Sequence, residues 1–425
     1  MALKFYMHSV VYYVLNLLTL AAMVYALRSY SHSKVNFFWL VLFIKLTAGI
    51  ALGLVYTNYY SSGDTFSFFE EANRIADLAR SNLSVYFDFL MFSDATGFDI
   101  QYSWKPNVLF TKIVSVFCLI TGGNYWLVSL YFSFFSFSAL WYLYQLLIQL
   151  FSDNKLAVGL GLFGIPSFVF WTSGLLKESI SIICISIIVG IYLKQFFLNK
   201  RTGILHWIAV VVSIILLWNL KYFYAGPLLV TLITGLLVLF LSKREIANSP
   251  TKILLTTSLI SLGTLLLSTL AHPNFYLSRI LQVIVDNHDS LLLRSGEGAV
   301  RFNDLSPSIA SLFEYLPLAL FSGFFRPLFW DVTSLISWGT AIENTVLLLL
   351  AIWALISIRR NSSDKKLILV AIAFLYILVL ATLLALSTPN FGTLVRFKVG
   401  FLPFLWMLVL YNNSLIRRLS DRFFN

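Results

Sequence analysis

PNVLFTKIVSVFCLIT, residues 106–121, is the stretch on which the topology of this chain turns. It reads as apolar, yet its 16 residues at a rise of 1.5 Å each make about 24 Å of helix. That is short of the roughly 30 Å hydrocarbon core of a bilayer. Most other apolar runs in the chain approach the 20 or so residues that a crossing needs. If 106–121 were a crossing, Lys194, Lys200 and Arg201 would fall on the side opposite the other clustered cations. We therefore read it as an amphipathic or re-entrant helix, with Lys112 reaching for the interface. A short tilted span is the alternative.

Composition frames the rest. The 425 residues are 59% hydrophobic and 12% charged, which excludes an ordinary soluble core. Mean hydropathy is +0.83. The fold class expected is an all-α polytopic membrane protein, because backbone in contact with lipid must satisfy its hydrogen bonds internally. Spans are expected near 9–27, 38–58, 125–146, 155–171, 177–195, 204–220, 225–242, 254–271, 339–357, 367–385 and 397–412, eleven in all. The first run reaches Arg28 and is read as a span, not as a cleaved signal peptide. Cys118 and Cys184 lie in apolar helices without a CxxC spacing and read as packing residues. The net charge of +11 comes from Lys and Arg scattered at the ends of apolar runs, which is membrane anchoring and not a nucleic-acid surface.

The cations also orient the chain. Arg28 and Lys34, then Lys194, Lys200 and Arg201, then Lys243, Arg244 and Lys252 alternate consistently with Arg359, Arg360, Lys365 and Lys366 and with Arg417, Arg418 and Arg422. The positive-inside rule assigns these loops, and the C-terminus, to the cytoplasm. The opposite loops hold Asp64, Glu70, Glu71, Asp77, Asp88, Asp94 and Asp99 and face outward. Two large outer segments result, 59–124 and 272–338. The first reads as short helices over Asp64–Arg80 and Leu83–Phe92 followed by 106–121. The second ends in YLPLALFSGFFRPLFWDV, which Pro317 and Pro327 interrupt too often for a clean span.

Three short loops arrive on that same outer side: PSFVFWTSGLLKE at 166–178, NLKYFY at 219–224 and TPNFGTLVRFK at 388–398. They bring Lys177, Lys221, Arg396 and Lys398, to which the second large segment adds Arg301 and Arg326. Ionisable groups near membrane depth are costly and mark functional sites by default. An outward carboxylate among several cations suits chemistry on a lipid-linked phosphate. The cations would hold the phosphate and stabilise the leaving group, while Asp64 would take the proton of an attacking hydroxyl or amine. Each residue also has a plainer reading. Asp64 is a common helix-capping residue, Glu70 and Glu71 suit a solvated face, Lys177–Glu178 suits a boundary ion pair, Lys221 suits snorkelling, and Arg326 and Arg396 suit anchoring. His272 and His288 have no ligand spacing, so no metal site is expected.

GDTFSFFEEA at 63–72 resembles the first outer-loop motif of the GT-C superfamily of membrane glycosyltransferases, which includes dolichyl-phosphate-mannose and aminoarabinose transferases. There an Asp or Asp-Glu just past a membrane helix opens a juxtamembrane helix. Lys105-Pro106 and Gly122-Gly123 bracket an interfacial helix in the same manner, LWYLYQLL at 140–147 matches the following helix, and Lys221 falls at a helix end. The resemblance covers roughly 38–240, as one module of a single integral membrane domain spanning 1–425, with 241–425 as variable C-terminal helices. It implies an inverting transferase with Asp64 as base, a polyprenyl-phosphate-linked sugar as donor and a lipid or glycan as acceptor, beside membrane lipids and without nucleic acid. Two departures stand out. An extra helix precedes the usual first one, and Asp64 is followed by Thr65. With no tight acidic pair, Glu70 and Glu71 stay open as second acids.

FRPLFWD at 325–331 and NFGTLVRFK at 390–398 look like pieces of bacterial polysaccharide-assembly membrane proteins, polymerases among them. A polymerase or ligase using a diphosphate-linked oligosaccharide is therefore the alternative function. A lipid or solute transporter is a third, against which stand the lack of a two-half repeat and of paired interrupted helices. No cofactor is required by the sequence, and a divalent cation stays open.

Overall fold

The computed structural model describes residues 2–31, 35–60, 64–92, 101–271, 276–295, 298–356 and 364–424. Lys34, Asp94, Asp99, His272, Glu297, Arg359 and Arg360 lie outside these. Regular structure among the described residues is helical, apart from one isolated antiparallel bridge between Ala299 and Asn390.

Two long helices, α1 (Ala2–Ser29) and α2 (Val35–Asn58), precede three shorter ones, α3 (Asp64–Ser81), α4 (Leu83–Phe92) and α5 (Lys105–Thr121). Then come α6 (Tyr125–Leu150), α7 (Lys155–Phe163), α8 (Pro166–Trp171) and α9 (Lys177–Tyr192). Next are α10 (Ile204–Lys243), α11 (Pro250–Ala271), α12 (Leu277–Leu292) and α13 (Ile309–Phe325). The last elements are α14 (Leu335–Ile356), α15 (Asp364–Ser387), α16 (Phe391–Phe397), α17 (Leu402–Tyr411) and α18 (Ser414–Phe424).

Eight of the described helices are long and apolar enough to cross a membrane: α1, α2, α6, α9, α10, α11, α14 and α15. The bent stretch Phe391–Gly400 with Leu402–Tyr411 makes a ninth if counted as one span. Eleven were expected, and the difference arises at three places. The run 155–171 is not one helix, because α7 stops at Gly164 and α8 has six residues. The runs 204–220 and 225–242 form one 40-residue element, α10, broken where Lys221 leaves helical geometry at φ −150° and ψ 70°. The run 397–412 turns by 69° between α16 with its extension and α17.

By contact, the chain forms two units. The first comprises Met1–Leu143, Val169–Ile188 and Ala209–Tyr222; the second comprises Tyr144–Phe168, Val189–Ile208 and Phe223–Asn425.

In the first unit, α3 buries Thr65, Phe68, Glu71, Ala72, Ile75 and Ala76, the three-and-four spacing of one helical face. That face packs on α5 and α4, with Ile75, Tyr86 and Phe89 at the centre of an apolar cluster that also takes in Val108 and Leu119. Pro106 in its first turn starts α5, where the missing N–H is no loss. Gly122, at φ 66°, ends it by the left-handed cap that glycine adopts freely. Lys112 does not reach for an interface as expected. It is buried, donates to the Leu90 carbonyl at 3.0 Å and lies 4.8 Å from the Phe89 ring centroid, tying α5 to α4. Cys118 is also buried on α5, and burial pushes its thiol up to about 12, which suits the packing role.

Two glycines let the membrane helices of this unit close. A Cβ on Gly49 of α2 would lie 2.1 Å from Ser133 Oγ on α6. Gly174, between α8 and α9, has φ 70°, and a Cβ there would lie 2.9 Å from Leu52 Cδ2 and 3.0 Å from Ser129 Oγ. We expect Gly174→Ala to cost about 1–2 kcal/mol from the left-handed backbone alone, with overpacking added. A lowered thermal midpoint of the detergent-solubilised protein measures this, and an unchanged midpoint contradicts it.

In the second unit, α15 packs against α11, α12 and α13, and α17 packs against α7 and α14. Asp153 gathers several of these ends. It accepts from Tyr411 OH at 2.8 Å, Lys366 at 3.1 Å and Arg417 at 3.3 Å. Next to it, Asn154 caps α7 by accepting from Ala157 N and donates to the Tyr411 carbonyl.

Candidate functional site

Asp64 opens α3 and is exposed. Phe68 and Glu71 follow it at i+4 and i+7, on the same side of the helix. The Phe68 ring packs between Phe110, at 5.1 Å between centroids, and Tyr102, at 4.9 Å. Tyr102 is hydrogen-bonded to Ser67 of α3. Burial first, and then the Asp64 carboxylate, push its phenol up from the ordinary tyrosine value, with smaller contributions from Glu71 and Glu70. The phenol therefore stays protonated at neutral pH, a fixed donor near that carboxylate.

The two glutamates separate. Glu70 is exposed, whereas Glu71 is 1% exposed and does not belong to the solvated face. Its Oε1 accepts from Gln101 N at 2.9 Å, and Oε2 lies 3.5 Å from Arg74. Glu71 thus fastens the start of the 101–104 segment to α3.

Lys177, first residue of α9, comes to the same place. Its ammonium donates to the Asn107 side-chain oxygen. It also lies 4.7 Å from the Phe68 ring centroid and 5.1 Å from that of Trp104. Cations are attracted to aromatic faces at such distances. The fold therefore gathers Lys177 onto Phe68, one turn of α3 away from Asp64 on one side and from Glu71 on the other.

Lys177 is placed by the interruption between α8 and α9, residues 172–176, in which Thr172, Ser173, Leu175 and Leu176 are buried. The polar backbone of this segment is met by side chains. Thr65 Oγ1 donates to the Leu175 carbonyl at 2.9 Å, Ser136 Oγ to that of Thr172 at 2.7 Å and Ser179 Oγ to that of Gly174 at 2.8 Å. Gly174 N donates to Ser133 Oγ at 2.9 Å. Such repair is what allows a helix to break among apolar surroundings. Glu178, in the first turn of α9 where a carboxylate suits the helix dipole, is fully buried and pairs with Lys221 Nζ at 2.7 Å. Lys221 is thus held by a carboxylate and is not a snorkelling residue.

The other candidate cations belong to the second unit. Arg326 makes a two-pronged pair with Asp331, Nε to Oδ2 at 2.9 Å and Nη2 to Oδ1 at 2.5 Å, and lies 4.9 Å from the Phe391 ring centroid. Lys398 is 1% exposed and donates to the carbonyls of Arg326 at 2.7 Å and Phe324 at 3.2 Å. It therefore ties the α16 extension to the end of α13. Arg396 is half-buried in the last turn of α16, and Arg301 is exposed beside Val300, whose N–H pairs with the Pro389 carbonyl. Among the described residues, no three His, Cys, Asp or Glu side chains are grouped to hold a metal ion.

Sequence reasoning missed Tyr102, Trp104, Asn107 and Lys45. The first three stand in YSWKPN, directly before and within the proline-led start of α5, where an aromatic pair at a helix entrance was a usable signal. Lys45 is the one charged residue of α2, and its position inside an apolar run was signal enough.

No known protein family matches the chain, and neither does any curated protein or any solved structure. Its helices give it the make-up of a multi-pass, all-helical membrane protein.

Proposed function

We propose that the chain is a membrane glycosyltransferase of GT-C type, working at the extracytoplasmic face on a polyprenyl-phosphate-linked sugar. The observation that carries this reading is the meeting of Asp64, Tyr102 and Lys177 around Phe68. Tyr102 and Lys177 both lie against the Phe68 ring, one helical turn after the exposed Asp64, whose carboxylate helps to raise the Tyr102 phenol. Asp64 takes the proton from the acceptor hydroxyl or amine as that atom attacks the anomeric carbon. The bond from that carbon to the phosphate oxygen breaks, and the polyprenyl phosphate leaves with the electron pair. Lys177 meets its growing charge, and Tyr102 donates to a sugar or phosphate oxygen. Lys221 supports this arrangement by neutralising Glu178. Of the candidate cations in the second unit, Arg326 and Lys398 are engaged within it, while Arg301 and Arg396 are the more accessible.

The test is turnover of radiolabelled polyprenyl-phosphate glucose, mannose and N-acetylglucosamine by the purified full chain in liposomes, read as released polyprenyl phosphate. Release from at least one donor supports the reading. No release from any, in liposomes supplied with extracted envelope lipid and glycan acceptors, removes it.

One observation favours a second reading, transport of a lipid or solute. The absence of paired interrupted helices counted against it, yet the chain interrupts its helices at 172–176 and bends sharply between Gly400 and Leu402, and broken helices line substrate sites in many transporters. Flux of polyprenyl-phosphate sugar across the liposome membrane without its consumption selects this reading over the first.

A further inference from the structure

Lys45 has no part in the chemistry above, yet it occupies one of the costliest positions in the chain. It lies about 15 Å along α2 from Val35 and about 20 Å from Asn58, and it is 1% exposed. An ammonium at such depth is expensive and needs a compensating partner. Two oxygens of one residue meet it here: Lys45 Nζ donates to the Thr172 carbonyl at 2.7 Å and to Thr172 Oγ1 at 2.5 Å. Thr172 directly follows the last residue of α8, where helix carbonyls lack partners and a cation is favoured.

From Thr172 the chain has four residues in which to reach Lys177 at the head of α9. Hydroxyl groups from α3, α6 and α9 hold the later part of that path. At its first residue the neutral Ser136 hydroxyl is joined by the Lys45 ammonium. Charged donors bind more strongly than neutral ones, and a low-dielectric interior widens the difference.

We propose that Lys45 is a positioning residue, a charged clamp on Thr172 that fixes the interruption at 172–176 and thereby the placement of Lys177 and Glu178. Only the functional consequence rests on the transferase reading; the clamp itself does not.

The experiment is hydrogen exchange of peptides covering 172–177 in the full chain, held in lipid nanodiscs, for wild type, Lys45→Arg, Lys45→Gln and Lys45→Met. Exchange should rise about tenfold or more in Lys45→Met and Lys45→Gln, and stay within about twofold of wild type in Lys45→Arg. Peptides covering α4 should not change in any variant. Glutamine can still donate, so wild-type protection in Lys45→Gln overturns the charged clamp, and wild-type protection in Lys45→Met overturns the clamp altogether. Should Lys45→Met fail to fold, Thr172→Val removes one of the two acceptor atoms. A local rise in exchange supports the proposal, and none overturns it. In the transfer assay, Lys45→Arg should retain turnover that Lys45→Gln loses. A clamp that behaves as expected in a protein without transfer activity would leave this proposal standing and remove the transferase reading; the reverse result would do the opposite.

Discussion

Glu178→Gln should destabilise the protein by about 3–5 kcal/mol, the cost of stripping one partner from a buried ion pair. Glu178 and Lys221 side chains are 0% and 6% exposed, with 2.7 Å between their charged atoms. Losing the carboxylate leaves an ammonium that water cannot reach. The pair also sits where two backbone irregularities meet, the start of α9 after the interruption and the break in α10 at Lys221 itself. Lys221→Met should cost a similar amount by stranding Glu178. Because most of either loss is the penalty on the abandoned partner, Glu178→Leu combined with Lys221→Met should destabilise less than either single change. Chemical unfolding in detergent measures all three. Single-variant losses below about 1 kcal/mol would put the pair in the weak class of hydrated surface bridges and remove it as the support of Lys177.

On the proposed transferase reading, Asp64→Asn should lower sugar transfer by about 10²–10⁴-fold, the usual worth of a positioned general base, while the protein stays folded. The separation of the two effects follows from geometry. Asp64 is exposed at the first position of α3, where a carboxylate contributes about 0.3–1 kcal/mol through the helix dipole, so its replacement should leave the fold standing. The neighbouring carboxylate behaves in the opposite way. Glu71 is buried and holds Gln101 N, so Glu71→Gln should register first as lost stability and as a loosened 101–104 segment. Steady-state turnover alongside thermal unfolding distinguishes them. Turnover that survives Asp64→Asn unchanged would sink the assignment of the base, whatever the sugar.

Part of this arrangement was legible from residue order. The first six helices, through α6, follow from hydrophobic periodicity and length, and the starts of α3 and α5 follow from an acidic first residue and a proline in the first turn. The helix at 106–121 was legible because Pro106 and Gly122 bracket it. The described helices give eight or nine candidate spans and not eleven, and the difference lies where hydropathy is least informative. A window over 155–171 averages across the stop at Gly164, and windows on either side of Lys221 report two runs whether or not the helix breaks between them.

Partners were less legible than elements. Lys112 looked like a residue reaching for the interface, but α4 offers it a carbonyl and a ring, so burial on the neighbour wins. Lys221 looked like a loop cation because nothing in NLKYFY reveals that Glu178, 43 positions earlier, comes within hydrogen-bond reach. Lys45 went unremarked among apolar neighbours, although its depth was readable from the start.

By itself the sequence determined the class of protein: an all-helical chain built for lipid, with a carboxylate opening a short helix just past a long one. Those properties are local, set by transfer free energy and by the period of a helix, and both are summed over neighbours in the chain. Only the tertiary structure decided which partner each charge takes and which charges stay exposed. Glu71, Lys221, Arg326 and Lys398 are engaged in buried or half-buried pairs, while Asp64 stays exposed and Lys177 is set on Phe68 and Trp104. That division depends on distances between residues far apart in sequence, where a few ångströms decide whether a charge meets water, a ring or its opposite.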